Sequence, residues 1–153
     1  MDVTRDELFS TARGLLRPAH TLLDIGAGIL PHTLGTSPVV HVCVEPCEQY
    51  AARLVHERPE LLVLNCTWAA ALEILPPRSV DTVLIMDVIE HLEKDEGRRL
   101  LDATVELARS QVVVFTPLGF MPQGEGELKD AWGLDGVDWQ VHRSGWLPEE
   151  FEG

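Results

Sequence analysis

Only three cysteines occur among the 153 residues, Cys43, Cys47 and Cys66, an odd number with no Cys-x-x-Cys spacing. This pattern excludes a disulfide framework and suggests no zinc site, so no metal is expected; the cysteines read as reduced, with Cys43 and Cys66 as small core residues. Positive charge is scarce too: 12 Lys and Arg face 25 Asp and Glu, a formal net charge of −13. No basic stripe is available to neutralise phosphates, which argues against DNA or RNA and leaves a small molecule as the expected partner. No apolar run is long enough to cross a bilayer, and Asp2, Arg5, Asp6, Glu7 and Arg13 stand where a signal peptide needs an apolar stretch. The expectations are a single domain over residues 1–153, no membrane association and a cytoplasmic setting.

What is present begins with Asp24-Ile25-Gly26-Ala27-Gly28, entered through the apolar Thr21-Leu22-Leu23. An apolar run that stops at two glycines reads as a buried parallel strand entering a tight turn, where missing side chains let a ligand touch the backbone. A second apolar run, 39–44, ends at Glu45-Pro46. In an open parallel sheet the two strand ends lie side by side, so Glu45 can accept both ribose hydroxyls of a nucleoside resting over the glycines. A dinucleotide loop would place a third glycine where Pro31 stands, and proline lacks an N–H that a diphosphate would use. Asp24 would repel a phosphate but attract the ammonium and sulfonium of S-adenosylmethionine.

Further along, Val80 to Leu92 reads as a strand followed by Asp87-Val88-Ile89-Glu90-His91-Leu92. The glycine loop, the acid about twenty residues on and this segment, in that order, resemble the class I S-adenosylmethionine-dependent methyltransferases over roughly residues 8–117. The third glycine of that family's loop falls on Leu30, which narrows the space above the methionine end. The resemblance implies an α/β fold, a Rossmann-like doubly wound, mostly parallel sheet of strand order 3-2-1-4-5. It implies S-adenosyl-L-methionine as cofactor, held by Asp24, Gly26, Ala27, Gly28, Glu45, Pro46, Thr67, Trp68 and Asp87. Trp68 serves equally well as core packing. The implied reaction is methyl transfer to O or N of a small or saccharide-like metabolite. Two alternatives stay open: a non-catalytic or degenerate S-adenosylmethionine-binding domain acting through a partner, and a nicotinamide-dependent oxidoreductase, which Asp24 and Pro31 disfavour.

Periodicity predicts an amphipathic helix over 4–17 with Leu8, Phe9, Ala12, Leu15 and Leu16 on one side, and strands at about 21–25, 39–44, 61–65, 80–86 and 111–116. Helices are expected over 47–57, 68–75 and 94–109, the last with Leu100, Leu101, Val105 and Ala108 facing inward, and one or two helical turns within 29–38. Residues 118–153 are glycine-rich and contain Trp132, Trp139 and Trp146, reading as a loop-rich acceptor segment or lid. A hydroxyl or amine acceptor needs a base, for which Asp87, His91 and His142 are the candidates. His91 reads equally as a wall of the cofactor pocket. Gln123, Gln140, Arg143 and Trp146 are candidate acceptor contacts, although His142 to Trp146 could equally be a surface turn anchored by a buried tryptophan. The family adds two strands after the fifth, whereas this chain stops at Glu152-Gly153. It reads as a fragment or a shortened natural member. The edge at 111–116 is then expected to pair with another copy, as a homodimer, or to be covered by part of 118–153.

Overall fold

The computed structural model describes Thr4, residues 7–122, Asp130 and residues 132–151. A sheet of five strands forms its centre: β1 (Thr21–Ile25), β2 (Val40–Val44), β3 (Leu62–Leu64), β4 (Val80–Met86) and β5 (Ala108–Phe115). Their order is β3-β2-β1-β4-β5, and every neighbouring pair is parallel. The three central strands are almost wholly buried because helices cover both faces, which is why their sequences are continuous apolar runs. Leu23, Ile25, Val44, Val83 and Ile85 face α3 (Trp68–Ile74) and α4 (Lys94–Leu107). On the opposite face Leu22, Leu84 and Met86 meet Leu8 and Ala12 of α1 (Leu8–Leu15), while Cys43 meets Leu54 of α2 (Glu48–Glu57).

The doubly wound sheet and its strand order agree with the expectation; several local features differ. No helix forms between β1 and β2: residues 26–39 run as turns and extended chain. Two prolines in so short a span, Pro31 and Pro38, remove donors and restrict the residues before them. Leu34 turns through φ +49° and buries its side chain beneath α1. On α1 the inward face is Leu8 and Ala12, continued by the half-buried Leu16 just past its end, whereas Phe9 and Leu15 are 52% and 54% exposed. On α4, Val105 points outward, and Leu100, Thr104 and Leu107 make the buried stripe. Ala108 is buried, but as the first residue of β5.

Beyond β5 the described chain holds α5 (Val137–Gln140) and a final 3-10 turn, Pro148–Phe151. β5 is the outermost strand of the described sheet, and the described part of residues 118–151 adds no strand beside it. No described helix is long and apolar enough to cross a membrane. The segment returns to the body through Trp146, 1% exposed, whose ring lies where a Cβ on Gly97 of α4 would stand, 2.5 Å away. Its indole N–H donates to the Ile89 carbonyl at 3.2 Å and to Ser144 Oγ at 3.0 Å, and Lys94 Nζ lies 4.0 Å above the ring. A tryptophan so placed is an anchor, because it brings its polar atom to a partner and fills a gap that only a glycine leaves.

Candidate functional site

The candidate site gathers at the carboxyl ends of β1, β2 and β4, where an open parallel sheet leaves a crevice. Gly26 and Gly28 take φ +69° and +57°, the left-handed region that a side chain disfavours. A Cβ on Gly26 would stand 2.7 Å from Val88, so this glycine lets the chain after β4 close against the loop. Ala27 is buried between them, against Cys43, Leu54 and Leu61. Leu30 is 65% exposed and turned to solvent, so it does not crowd the crevice as the sequence suggests.

Both loop acids are buried. Asp24 Oδ2 accepts the His32 N–H at 2.7 Å, whereas Oδ1 has no partner among the described residues. Burial, reinforced by Glu45, pushes the Asp24 carboxyl up to about 7. The neighbouring His41 is not an ionic partner: its Nε2 is 4.0 Å away and burial lowers it to about 4. Glu45 accepts the Gly28 N–H through Oε2 and the Cys47 N–H through Oε1, both at 2.8 Å. Burial raises Glu45 while these two N–H bonds pull it down. Pro46 turns the chain outward, its carbonyl accepting Asn65 Nδ2 at 3.2 Å. Two desolvated acids beside a backbone cradle favour a ligand that carries positive charge.

One occupant of this cradle comes from the chain itself. A Cβ on Gly28 would stand 2.7 Å from the Trp132 ring, which therefore lies directly on the glycine. The ring meets Tyr50 of α2 edge-on, centroids 5.0 Å apart. Asp130 secures the arrangement, its carboxylate accepting the Tyr50 hydroxyl, the N–H groups of Trp132 and Leu134 at 2.9 and 2.8 Å, and that of Gly136 at 2.9 Å. Gln140 Nε2 reaches the same tyrosine hydroxyl at 3.2 Å, so it braces this strap. Glycine-rich composition points to a lid in this region but not to Trp132, Tyr50 or Asp130, because no local pattern connects positions eighty apart.

The second half of the site follows β4. Asp87 is exposed and held at φ +54°, its N–H donating to the Phe115 carbonyl at 3.0 Å. A single 3-10 turn, Ile89–His91, comes next. Glu90 is 2% exposed; its Oε2 accepts Thr116 Oγ1 at 3.0 Å, and its Oε1 has no partner among the described residues. Burial first, then the Asp87 charge, pushes Glu90 up to about 8. The Glu90 carbonyl accepts the N–H groups of Arg143 and Ser144 at 2.7 and 3.0 Å, which draws the tail onto this turn. His91 and His142 thereby meet edge to face, centroids 4.9 Å apart. Burial lowers His91 to about 4, making it neutral and a poor proton acceptor near pH 7.

The expected residues divide accordingly. Asp24, Gly26, Ala27, Gly28, Glu45, Pro46 and Asp87 share the crevice, with His91, His142 and Arg143 grouped beyond β4. Arg143 is exposed, its guanidinium donating to the Asp138 carbonyl at 3.2 Å. It also borders a groove of about 500 Å³ with Lys94, Phe120 and Glu150. Trp146 is in the core, which overturns its reading as an acceptor wall. Thr67 caps α3, its Oγ1 accepting the Ala70 N–H at 3.3 Å. Trp68 is half-buried, packs partly on the core and donates to Glu96 of α4 at 3.2 Å. Gln123 lies outside the described residues.

No protein-family model and no curated protein sequence matches the chain. Solved structures do. A SAM-dependent methyltransferase from Archaeoglobus fulgidus superposes with a TM-score of 0.64 at 18% identity, over 96% of this chain and 65% of that one. A SAM-dependent methyltransferase from Leishmania major gives 0.63 at 17% identity, over 74% and 51%. The Burkholderia thailandensis 1,6-didemethyltoxoflavin-N1-methyltransferase, solved with 1,6-didemethyltoxoflavin and S-adenosylhomocysteine, gives 0.56 at 20% identity, over 77% and 56%. The chain thus spans less than two thirds of the length of each of these structures. The fold is that of the class I S-adenosylmethionine-dependent methyltransferases.

Proposed function

We propose that the chain binds S-adenosyl-L-methionine in the crevice above Gly26 and Gly28 and transfers its methyl group to O or N of a small or saccharide-like metabolite. The observation that carries this reading is the pair of buried acids, Asp24 and Glu45, ending adjacent strands on either side of a glycine cradle. The residues fit the cofactor: Glu45 holds both carboxylate oxygens at the cradle, Asp24 Oδ1 lacks a partner that an ammonium would supply, and no helix N-terminus follows the loop to seat a diphosphate. When bound, the cofactor supplies a methyl group already activated on a sulfonium.

The chain's own task is then to position, to desolvate and to receive a proton. Asp24 and Glu45 hold the donor, and the glycines admit it to backbone contact. His142, half-buried with Nδ1 2.6 Å from the Met121 carbonyl, is the group suited to accept a proton from the acceptor, and Asp87, exposed at the end of β4, is a second candidate. Arg143 suits an anionic group on the acceptor. The negative charge of the chain favours a metabolite over nucleic acid as acceptor, in a cytoplasmic setting, and β5 is the edge through which a second copy would pair.

Affinity is expected to depend on pH through Asp24. Its carboxyl ionises only as pH rises through about 7, and an ammonium is attracted to the ionised form. S-adenosylhomocysteine should therefore bind progressively less well below pH 7, by up to about ten-fold per unit. Calorimetric titration between pH 5.5 and 8.5 checks this; an equally steep profile in Asp24→Asn assigns the effect elsewhere.

Trp132 favours a second reading, a domain that binds the cofactor without turning it over. Its ring lies against the glycine that would face the nucleoside, so the ring must leave before a ligand can enter. Trp132→Ala is expected to tighten S-adenosylhomocysteine binding on the order of ten-fold, the equivalent of about 1.4 kcal/mol. A weaker Kd in the variant would mean that the ring contacts the ligand. Turnover of a metabolite panel by wild type and by Trp132→Ala separates a catalyst held closed from a domain without activity.

A further inference from the structure

We propose that Glu90, His91 and His142 form a binding site for one divalent first-row transition ion, of which Zn2+ is the type. One ligand atom from each residue lies within 4.8 Å of the other two. In a tetrahedral zinc site with bonds of about 2.0 Å, ligand atoms stand about 3.3 Å apart, so shifts on the order of 1 Å bring the set to bonding distance. Two features distinguish this cluster from a chance meeting of polar groups. Glu90 is 2% exposed, no described donor reaches its Oε1, and the Asp87 carboxyl stands beside it, a pair of acids that a cation would balance.

The second feature is the orientation of the rings. His91 Nδ1 lies 3.3 Å from the Val141 carbonyl and His142 Nδ1 lies 2.6 Å from the Met121 carbonyl. A carbonyl only accepts, so each Nδ1 carries the proton and each Nε2 keeps its lone pair. This is the outer-shell bond that fixes the tautomer of a metal-bound histidine. Two imidazoles and a carboxylate select zinc, cobalt or iron(II) over calcium or magnesium. Cysteine spacing, from which no metal is expected, carries no trace of this cluster; Glu90 and His142 are joined only when the Arg143 and Ser144 N–H groups bond to the Glu90 carbonyl.

Binding at this site does not depend on the methyl-transfer reading; its use does, since a cation here would orient an acceptor hydroxyl and favour loss of its proton, relieving His142 of that task. The test uses the full chain, freed of metal with a chelator and titrated with Co2+ while visible absorption is followed. One equivalent should bind with d–d bands of a nitrogen and oxygen set and no thiolate charge-transfer band, and Zn2+ should displace it. His91→Gln and His142→Gln should each weaken cobalt binding at least about ten-fold. Their melting temperatures and S-adenosylhomocysteine affinity should stay near wild type.

No saturable cobalt binding overturns the proposal, as does unchanged affinity in a folded His142→Gln. A thiolate band lost in Cys43→Ser also overturns it, because it places the ion at the other described cluster, Asp24, His41 and Cys43. Cobalt bound as described by a protein that fails to bind S-adenosylhomocysteine upholds the metal site and removes the methyl-transfer reading.

Discussion

Trp146→Ala is expected to destabilise the domain by about 3 to 5 kcal/mol, the largest effect of any substitution considered for the tail. The ring is 1% exposed, rests on Gly97 of α4 and carries two hydrogen bonds through its indole nitrogen. Truncation leaves a cavity against Ile89 and Leu100 and removes one donor from both the Ile89 carbonyl and the Ser144 hydroxyl, which keep their bond to each other at 3.0 Å. The main-chain bond from the Gly119 N–H to the carbonyl of residue 146, at 2.8 Å, is available to either side chain. Trp146→Phe keeps most of the packing and loses only the N–H, so it should cost roughly 1 to 2 kcal/mol. Chemical denaturation of both variants checks the order. A Trp146→Ala protein as stable as wild type would contradict the anchoring role and restore the ring as a candidate acceptor wall.

Glu45→Ala is expected to weaken S-adenosylhomocysteine binding by about 1.5 to 3 kcal/mol, roughly ten- to hundred-fold. The carboxylate has two tasks here. It ties the N–H groups of Gly28 and Cys47 and so shapes the cradle; in the proposed reading its remaining lone pairs accept from the ribose hydroxyls. Glu45→Gln separates the two, because an amide keeps one acceptor oxygen and the size of the side chain while losing the charge. It should recover part of the stability and little of the affinity. Calorimetry on both variants, with melting temperature as the control for folding, gives the answer. Unchanged affinity in a folded Glu45→Ala would remove the principal support for the proposed cofactor site.

How far the sequence reaches can be judged residue by residue. The five strands are legible because buried parallel strands are continuous apolar runs, and their order follows from the resemblance carried by Asp24 to Gly28, Glu45 and Asp87 to Leu92. Gly26 and Gly28 are legible as left-handed turn positions, since no side chain is tolerated there without strain. The absent helix between β1 and β2 is only half legible: Pro31 and Pro38 warn of it, but the burial of Leu34 beneath α1 is a contact across the fold.

What the sequence alone determined is therefore local or periodic: strands, helices, a glycine turn, and acids at strand ends. Tertiary structure decided the rest. It buried Trp146 and left Trp132 on the surface of the cradle, 36% exposed, although the two residues look alike in a glycine-rich tail. It gave Glu90 an oxygen without a partner and brought His142 to His91. Such outcomes depend on which atoms fill a gap left fifty or eighty residues away, and neither propensity nor spacing carries that information, because packing is settled only when the whole chain has closed.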